Sequence, residues 1–264
     1  MSRLAGPLAA ALLILLAGIG PTPVRAQDML DMVDLSSDAY TKAEMTRADI
    51  EKGLAGLKAG ETLDLSDKSL NGLDLSKLDL RRVNLKLARL LNVNLAGANL
   101  EGVVLDQAWM LKSNLAGANL KGANLFGTQM IGSVLDGANL AGARMIGDYS
   151  KCSLKGVNLE RANLAAEESN QSMGLIRASF KSSDFEGANL KGANLSRALL
   201  EYASFKNADL SGASLAGSEA AGADFTSANV SGTNFADADV NSARIGTMKN
   251  ANAAQNLDKA KNVE

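Results

Sequence analysis

From Leu65 to Met145 every fifth residue is Leu or Met: seventeen positions, fourteen of them Leu and three Met (Met110, Met130, Met145). The series resumes at Leu175 and runs through fifteen apolar positions to Ile245, with Ala220 the one small member. An amphipathic helix repeats its apolar face about every 3.6 residues and a half-buried strand about every 2, so a period of five predicts neither. Two places before each large residue stands a small one in most repeats, as at Ala98, Ala118, Ala123, Ala188, Ala193 and Ala208. Asn, Asp or Ser commonly comes immediately before it, and Gly often follows two places after. The heptapeptide NLAGANL occurs at Asn94–Leu100 and again at Asn114–Leu120, an interval of twenty residues, so the two copies are expected one above the other in successive coils.

Written out, GANLKGANLFG (Gly117–Gly127) and EGANLKGANLSRA (Glu186–Ala198) resemble the pentapeptide-repeat family, whose unit is a small residue, Asp or Asn, Leu or Phe, and two variable residues. The resemblance spans roughly Leu63 to Ile245. It implies an all-β solenoid: a right-handed quadrilateral β-helix, nearly square in section, with four repeats to a coil. In such a coil each face sends one large side chain to the axis, and the position two earlier also points inward, where only Ala, Ser, Thr, Val or Cys fits. Asn and Gly tolerate the corner conformations. At the usual strand spacing of about 4.8 Å, about nine coils make a rod roughly 40 Å long.

The frame slips once. After Met145 the inward positions are Leu154, Leu159 and Leu164, one residue early, and Leu175 restores the original frame. One deletion near Asp148–Ser150, compensated by one insertion within AAEESNQSMG (Ala165–Gly174), accounts for this, and places a kink, bulge or binding loop between about 146 and 174. The exposed ends of a stacked rod invite pairing with other chains, so caps are expected. In the segment 27–62, Thr46-Arg47-Ala48-Asp49 reads as a helix start, with Ile50, Leu54 and Leu57 at helical spacing and Gly60 as a stop. This predicts a short α-helical cap on the first coil. Residues 246–264 are polar and read as a weaker cap or a tail.

Residues 1–26 depart from all of this. Arg3, an apolar core from about Leu8 to Ile19 and the ending Val24-Arg25-Ala26 form a secretory signal peptide cut after Ala26. The apolar run is shorter than the roughly 20 residues that span a bilayer, so no membrane anchor is expected after cleavage and the mature chain is expected to be periplasmic or secreted. Cleavage removes two Arg and no acid, leaving 25 basic against 29 acidic residues, a net charge of −4. That balance suits neither a nucleic-acid binder nor a strongly acidic surface. The chain contains no His, which excludes His-based acid–base chemistry, Ser-His-Asp triads and His metal sites. Its single Cys, Cys152, forms no internal disulfide and sits at a small inward position, as a packing thiol. No catalytic group, cofactor or metal ligand set is predicted.

Outward positions carry the remaining information. One face reads Leu91, Leu111 and Ile131, twenty residues apart, with Trp109, the only Trp, beside them and Phe126 and Ile146 outward on the adjoining face. This predicts an exposed apolar stripe. It either packs under the apolar segment Met29–Leu35 or serves as an interface for a partner protein or a second copy of the chain. The insertion, with Glu167, Glu168, Asn170 and Gln171, falls at the continuation of this face or its next corner. Glu167 and Glu168 alone are a weak cation signal. Lys77, Arg81, Arg82, Lys86 and Arg89 wrap around the coil and read as solvated charge balanced by Asp74 and Asp79.

These features point to a non-catalytic exported scaffold that binds another protein, or itself, through a face of the β-helix. Two alternatives stand beside it. Some members of the resembled family mimic DNA and act on DNA gyrase, which the signal peptide and weak acidity oppose here. The second alternative is an accessory or ligand-binding protein that uses the 165–174 insertion.

Overall fold

The computed structural model describes residues 37–167 and 176–261. The chain winds into a four-faced coil in which each repeat lies over its counterpart one turn on. Asn94 pairs in parallel with Asn114, Asn99 with Asn119, Val104 with Asn124 and Trp109 with Gln129, so each turn takes twenty residues and four edges. We call the face of Ser69, Arg89, Trp109 and Gln129 the first. The faces of Asp74–Asn94–Asn114 and Asp79–Asn99–Asn119 are the second and third, and that of Asp64–Asn84–Val104–Asn124 is the fourth. Among the described residues two-residue strands are found at β1 (Leu63–Asp64) and β2 (Val83–Asn84), and single-residue bridges make up the rest of the ladder. Each edge is five residues long and its corner takes two, which leaves no room for longer strands.

The backbone explains the sequence pattern. At Leu95 the N–H donates to the Asn114 carbonyl at 2.7 Å, and the Leu95 carbonyl accepts from Ala98 N–H across the corner at 3.0 Å. The corner residue Gly97 has φ of +65°, a region that costs other residues about 1–2 kcal/mol. Lys112 and Tyr202 adopt it as well. Inside, the large residues of the repeat are buried from Leu65 to Val240 among the described residues, and most of the small ones two places before them from Val83 to Ala238. Several small positions hold a hydroxyl that donates to a carbonyl of the preceding coil: Ser113 to Leu90 at 2.6 Å, Ser133 to Met110 at 2.7 Å and Thr233 to Leu210 at 2.7 Å. Ser and Thr at these positions therefore replace Ala without leaving an unsatisfied group, whereas the buried Ser218 hydroxyl has no partner. In the later coils Phe185, Phe205 and Phe225 replace Leu and stack at 4.9 and 5.1 Å with rings 7° from parallel. Outside, Asn side chains form ladders: on the third face Asn119 donates to Asn99, Asn139 to Asn119, Asn158 to Asn139 and Asn189 to Asn158, at 3.0 to 3.2 Å.

The register break differs from the expected one-residue exchange. Gln129 pairs with Asp148, nineteen residues on, as the deletion requires, but Asp148 pairs with Ser179, thirty-one on, so the insertion adds eleven residues. The shortened corner brings Gly147 onto the preceding coil and puts Tyr149 in the core, its hydroxyl donating to the Leu125 carbonyl at 2.9 Å and its ring stacked on Phe180 at 4.9 Å. The eleven extra residues leave between the fourth and first faces, where Glu167 pairs antiparallel with Ile176. Leu175, expected as an inward repeat position, lies outside the described residues, and the coil resumes with buried Ala178 and Phe180.

Before the first coil lie α1 (Asp38–Thr41) and α2 (Arg47–Ala55). In α2, Thr46 accepts from the Asp49 N–H and Asp49 accepts from the Thr46 N–H, the reciprocal bonding expected at its start. Ile50 is buried within the core and Leu54 packs against it. The ladder also continues past Ile245, the expected limit of the repeats. Lys249, Gln255 and Lys261 pair with Asn229, Asn234 and Asp239, and short 3-10 turns at Ala251–Ala253 and Leu257–Lys259 lengthen the corners.

Candidate interaction face

The first face carries a strap formed by Ser37–Thr46. The Glu44 N–H donates to the Ser69 carbonyl at 2.8 Å, and the Ser69 hydroxyl donates to the Lys42 carbonyl at 2.5 Å. The Glu44 carboxylate pairs with Arg89 at 3.0 Å and Lys68 at 3.4 Å. Two coils further on, the Tyr40 ring stacks over Trp109 with centroids 6.0 Å apart and planes 18° from parallel. The strap thus runs along the rod from the level of Ser69 to that of Trp109.

This changes the reading of the apolar stripe. Leu91 is 3% exposed and Leu111 7%, although both lie outside the core cluster, while Trp109 and Ile131 are half-buried. An exposed stripe is therefore the wrong description: its Trp lies under Tyr40, and Leu91 sits at a level the strap crosses. Met29–Leu35, the expected cover, lies outside the described residues. Tyr40 carries no sign in the repeat pattern, so sequence reasoning missed it.

On the fourth face Phe126 is half-buried and Ile146 is 1% exposed, again not an open surface. The Arg144 guanidinium lies 4.4 Å from the Phe126 ring centre and reaches Glu167 at 2.5 Å. Arg144 thereby ties the base of the insertion to the rod. Glu167 is engaged in this pair, whereas Glu168, Asn170 and Gln171 lie outside the described residues. Among the described residues no three acidic, Cys or His side chains are grouped to hold a metal ion, and no helix is long and apolar enough to cross a membrane.

The basic run is dispersed. Arg81 makes two bonds to Asp79 at 2.9 and 2.6 Å, Arg82 donates to the carbonyls of Glu61 and Lys58, and Arg89 serves the strap. Arg81 and Arg82 also line, with Glu51, Leu54 and Leu57, the groove between α2 and the first coils. The Cys152 thiol is buried and donates to the Met130 carbonyl at 3.0 Å, and burial pushes it up to about 12. Such a thiol is a packing group and not a nucleophile.

The profile of the Pentapeptide repeats family matches the sequence in eight copies, over residues 69–107, 113–147, 178–217 and 203–241. The chain belongs to the pentapeptide-repeat family. Pentapeptide repeats fold as right-handed quadrilateral β-helices, and the solved structures similar to this chain share that design. QnrB1, a plasmid-mediated fluoroquinolone resistance protein, matches with a TM-score of 0.54 at 15% identity, covering 76% of this chain and 92% of its own. HetL, a pentapeptide repeat protein involved in heterocyst differentiation regulation from the cyanobacterium Nostoc sp. strain PCC 7120, matches with a TM-score of 0.37 at 24% identity, covering 82% and 97%. No curated protein sequence matches. Pentapeptide-repeat proteins are in general structural or interaction proteins and not enzymes.

Proposed function

We propose that this pentapeptide-repeat protein is a non-catalytic, exported scaffold that binds another protein through the first face of its β-helix. The observation that carries the reading is a set of apolar side chains that stand outside the core cluster and are covered wholly or in part: Leu91, Trp109 under Tyr40, Leu111 and Ile131, with Phe126 and Ile146 at the adjoining edge. The third face, by contrast, presents an Asn ladder bonded within itself. Contiguous outward apolar groups with a Trp are the usual mark of a contact site. Export rests on the signal-like residues 1–26. Helix α2, with Ile50 in the core, acts as the cap that keeps the first coil from pairing with other chains.

A DNA-mimicking gyrase modulator is the weaker reading. Such a protein needs a continuous acidic surface, and here Lys68 and Arg89 stand on the first face and Arg81 on the third. A ligand-binding role for the 165–174 insertion is weaker too, because Glu167 is already bound to Arg144. The test is capture of binders from a periplasmic extract on the mature chain, beside Trp109→Ala and Leu111→Glu variants checked for cooperative unfolding. A partner held by the wild type and lost from the folded Trp109→Ala protein supports the reading. Equal capture by all three, or cell fractionation that finds the protein in the cytoplasm, overturns it.

A further inference from the structure

The strap is fixed unevenly. At its inner end Met45 packs against the core and Glu44 bonds to Ser69; among the described residues its outer end is held by the stack of Tyr40 over Trp109 and by α1, which is one turn long. The ion pairs of Glu44 involve side chains 43% exposed on the acid and 23% on Arg89, where water and salt weaken them. The Arg89 Nε is buried without a partner, so the strap leaves that donor unused. The surface beneath is specific in what it offers: a flat indole at Trp109, the Arg89 guanidinium one coil nearer the cap, and the Ser69 carbonyl and hydroxyl beside Lys68 one coil nearer still.

We infer that the strap is a built-in pseudo-ligand, and that the first face binds in its place a peptide segment of the same chemistry: an aromatic side chain for Trp109 followed four residues later by a carboxylate for Arg89 and Lys68. This rests on the scaffold reading and names the partner class for that face. Release pivots about Met45, which packs against the core, and frees the Ser69 carbonyl and hydroxyl from Glu44 and Lys42. The incoming segment repeats the Tyr40 stack and the Glu44 ion pairs, so its affinity for the closed protein is reduced by the fraction of molecules whose own strap is in place.

The test uses the mature full chain, a Tyr40→Ala/Glu44→Gln variant that weakens the strap, and a synthetic peptide of Ser37–Thr46. Trp109 is the only Trp, so its emission reports the site directly. The variant, with a cooperative unfolding transition like the wild type, shows red-shifted emission; adding the peptide reverses the shift, and the wild type binds the peptide at least tenfold more weakly. A peptide with Ala for the Tyr does not bind, nor does the original peptide bind the same variant carrying Trp109→Ala as well. Unchanged Trp109 emission in the folded variant, equal peptide affinity for variant and wild type, or binding that survives Trp109→Ala overturns the inference. Peptide binding without capture of any natural partner would sink the scaffold reading alone; a partner captured through Trp109 beside an inert peptide would sink the pseudo-ligand alone.

Discussion

Gly147 faces the backbone of Thr128 so closely that a β-carbon on it would lie 2.2 Å from the Thr128 carbonyl oxygen and 2.9 Å from its nitrogen. The corner lost its residue here, and the chain cuts straight across to the coil before. The atoms in the way are backbone and cannot rotate aside. Gly147→Ala is expected to destabilise the rod by on the order of 3–4 kcal/mol, in the range reserved for core or backbone disruption. Gly137→Ala is the control: unlike Gly147 it sits at a φ of +65°, but a β-carbon there meets nothing within 4 Å, so about 1–2 kcal/mol is expected. Urea unfolding of the two variants separates steric exclusion from backbone strain, and equal losses would refute the close approach.

Tyr149 fills the shortened coil with both ring and hydroxyl. Tyr149→Phe keeps the stack on Phe180 and removes the donor to the Leu125 carbonyl, which still accepts from Thr128 N–H at 3.3 Å. A loss of about 0.5–1.5 kcal/mol is expected. Tyr149→Ala empties the site and is expected to cost about 3–5 kcal/mol. Thermal unfolding that ranked the two together would show that packing around the ring had been misjudged.

Cys152 should be silent to thiol reagents in the folded protein at pH 8, because its thiol is held near 12 by burial, and should react fully once the chain is unfolded in denaturant. Cys152→Ser is expected to be within about 1 kcal/mol of wild type, since Ser113, Ser133 and Ser183 occupy equivalent positions and donate to carbonyls as the thiol does. Rapid labelling of the native protein would contradict the buried placement.

Asp224 links two coils through Arg244 at 2.9 Å and Lys206 at 3.4 Å. Burial pushes its carboxyl up, but the hydrogen bonds from Thr226 and Arg244 and the charge of Lys206 outweigh this and hold it at about 2, below the ordinary 3.8. The folded state therefore binds this proton less readily than the unfolded chain. The stabilisation is fully present above the unfolded value and is lost as pH falls through about 4 towards 2. Asp224→Asn should flatten that part of the stability–pH curve while leaving the Asn ladder on the third face intact. An unchanged acid limb would show that other carboxylates carry the acid sensitivity.

The repeat frame was legible because one rule, a large apolar side chain every fifth residue, is imposed by the axis itself, and Leu95 and Leu115 obey it identically. The length of the insertion was not: one extra residue and eleven leave the same remainder in a period of five, and Leu175 falls on the frame by coincidence of spacing. Leu91, Leu111 and Trp109 were correctly placed on one face, since position within the repeat fixes the face. The cover on Trp109 was hidden, because Tyr40, which stacks on it, precedes the repeats and belongs to no period. The tail past Ile245 read as polar because the final coil buries Met248 and Leu257 only in part.

The chain departs at Glu167 and returns at Ile176 between two faces, and the Asn ladder from Asn99 to Asn189 passes this level without a missing rung. Length added at a corner is therefore invisible to the coils above and below it. Other corners with the same geometry offer places where a foreign loop can be grafted onto the rod, to be displayed at a chosen height and on a chosen edge.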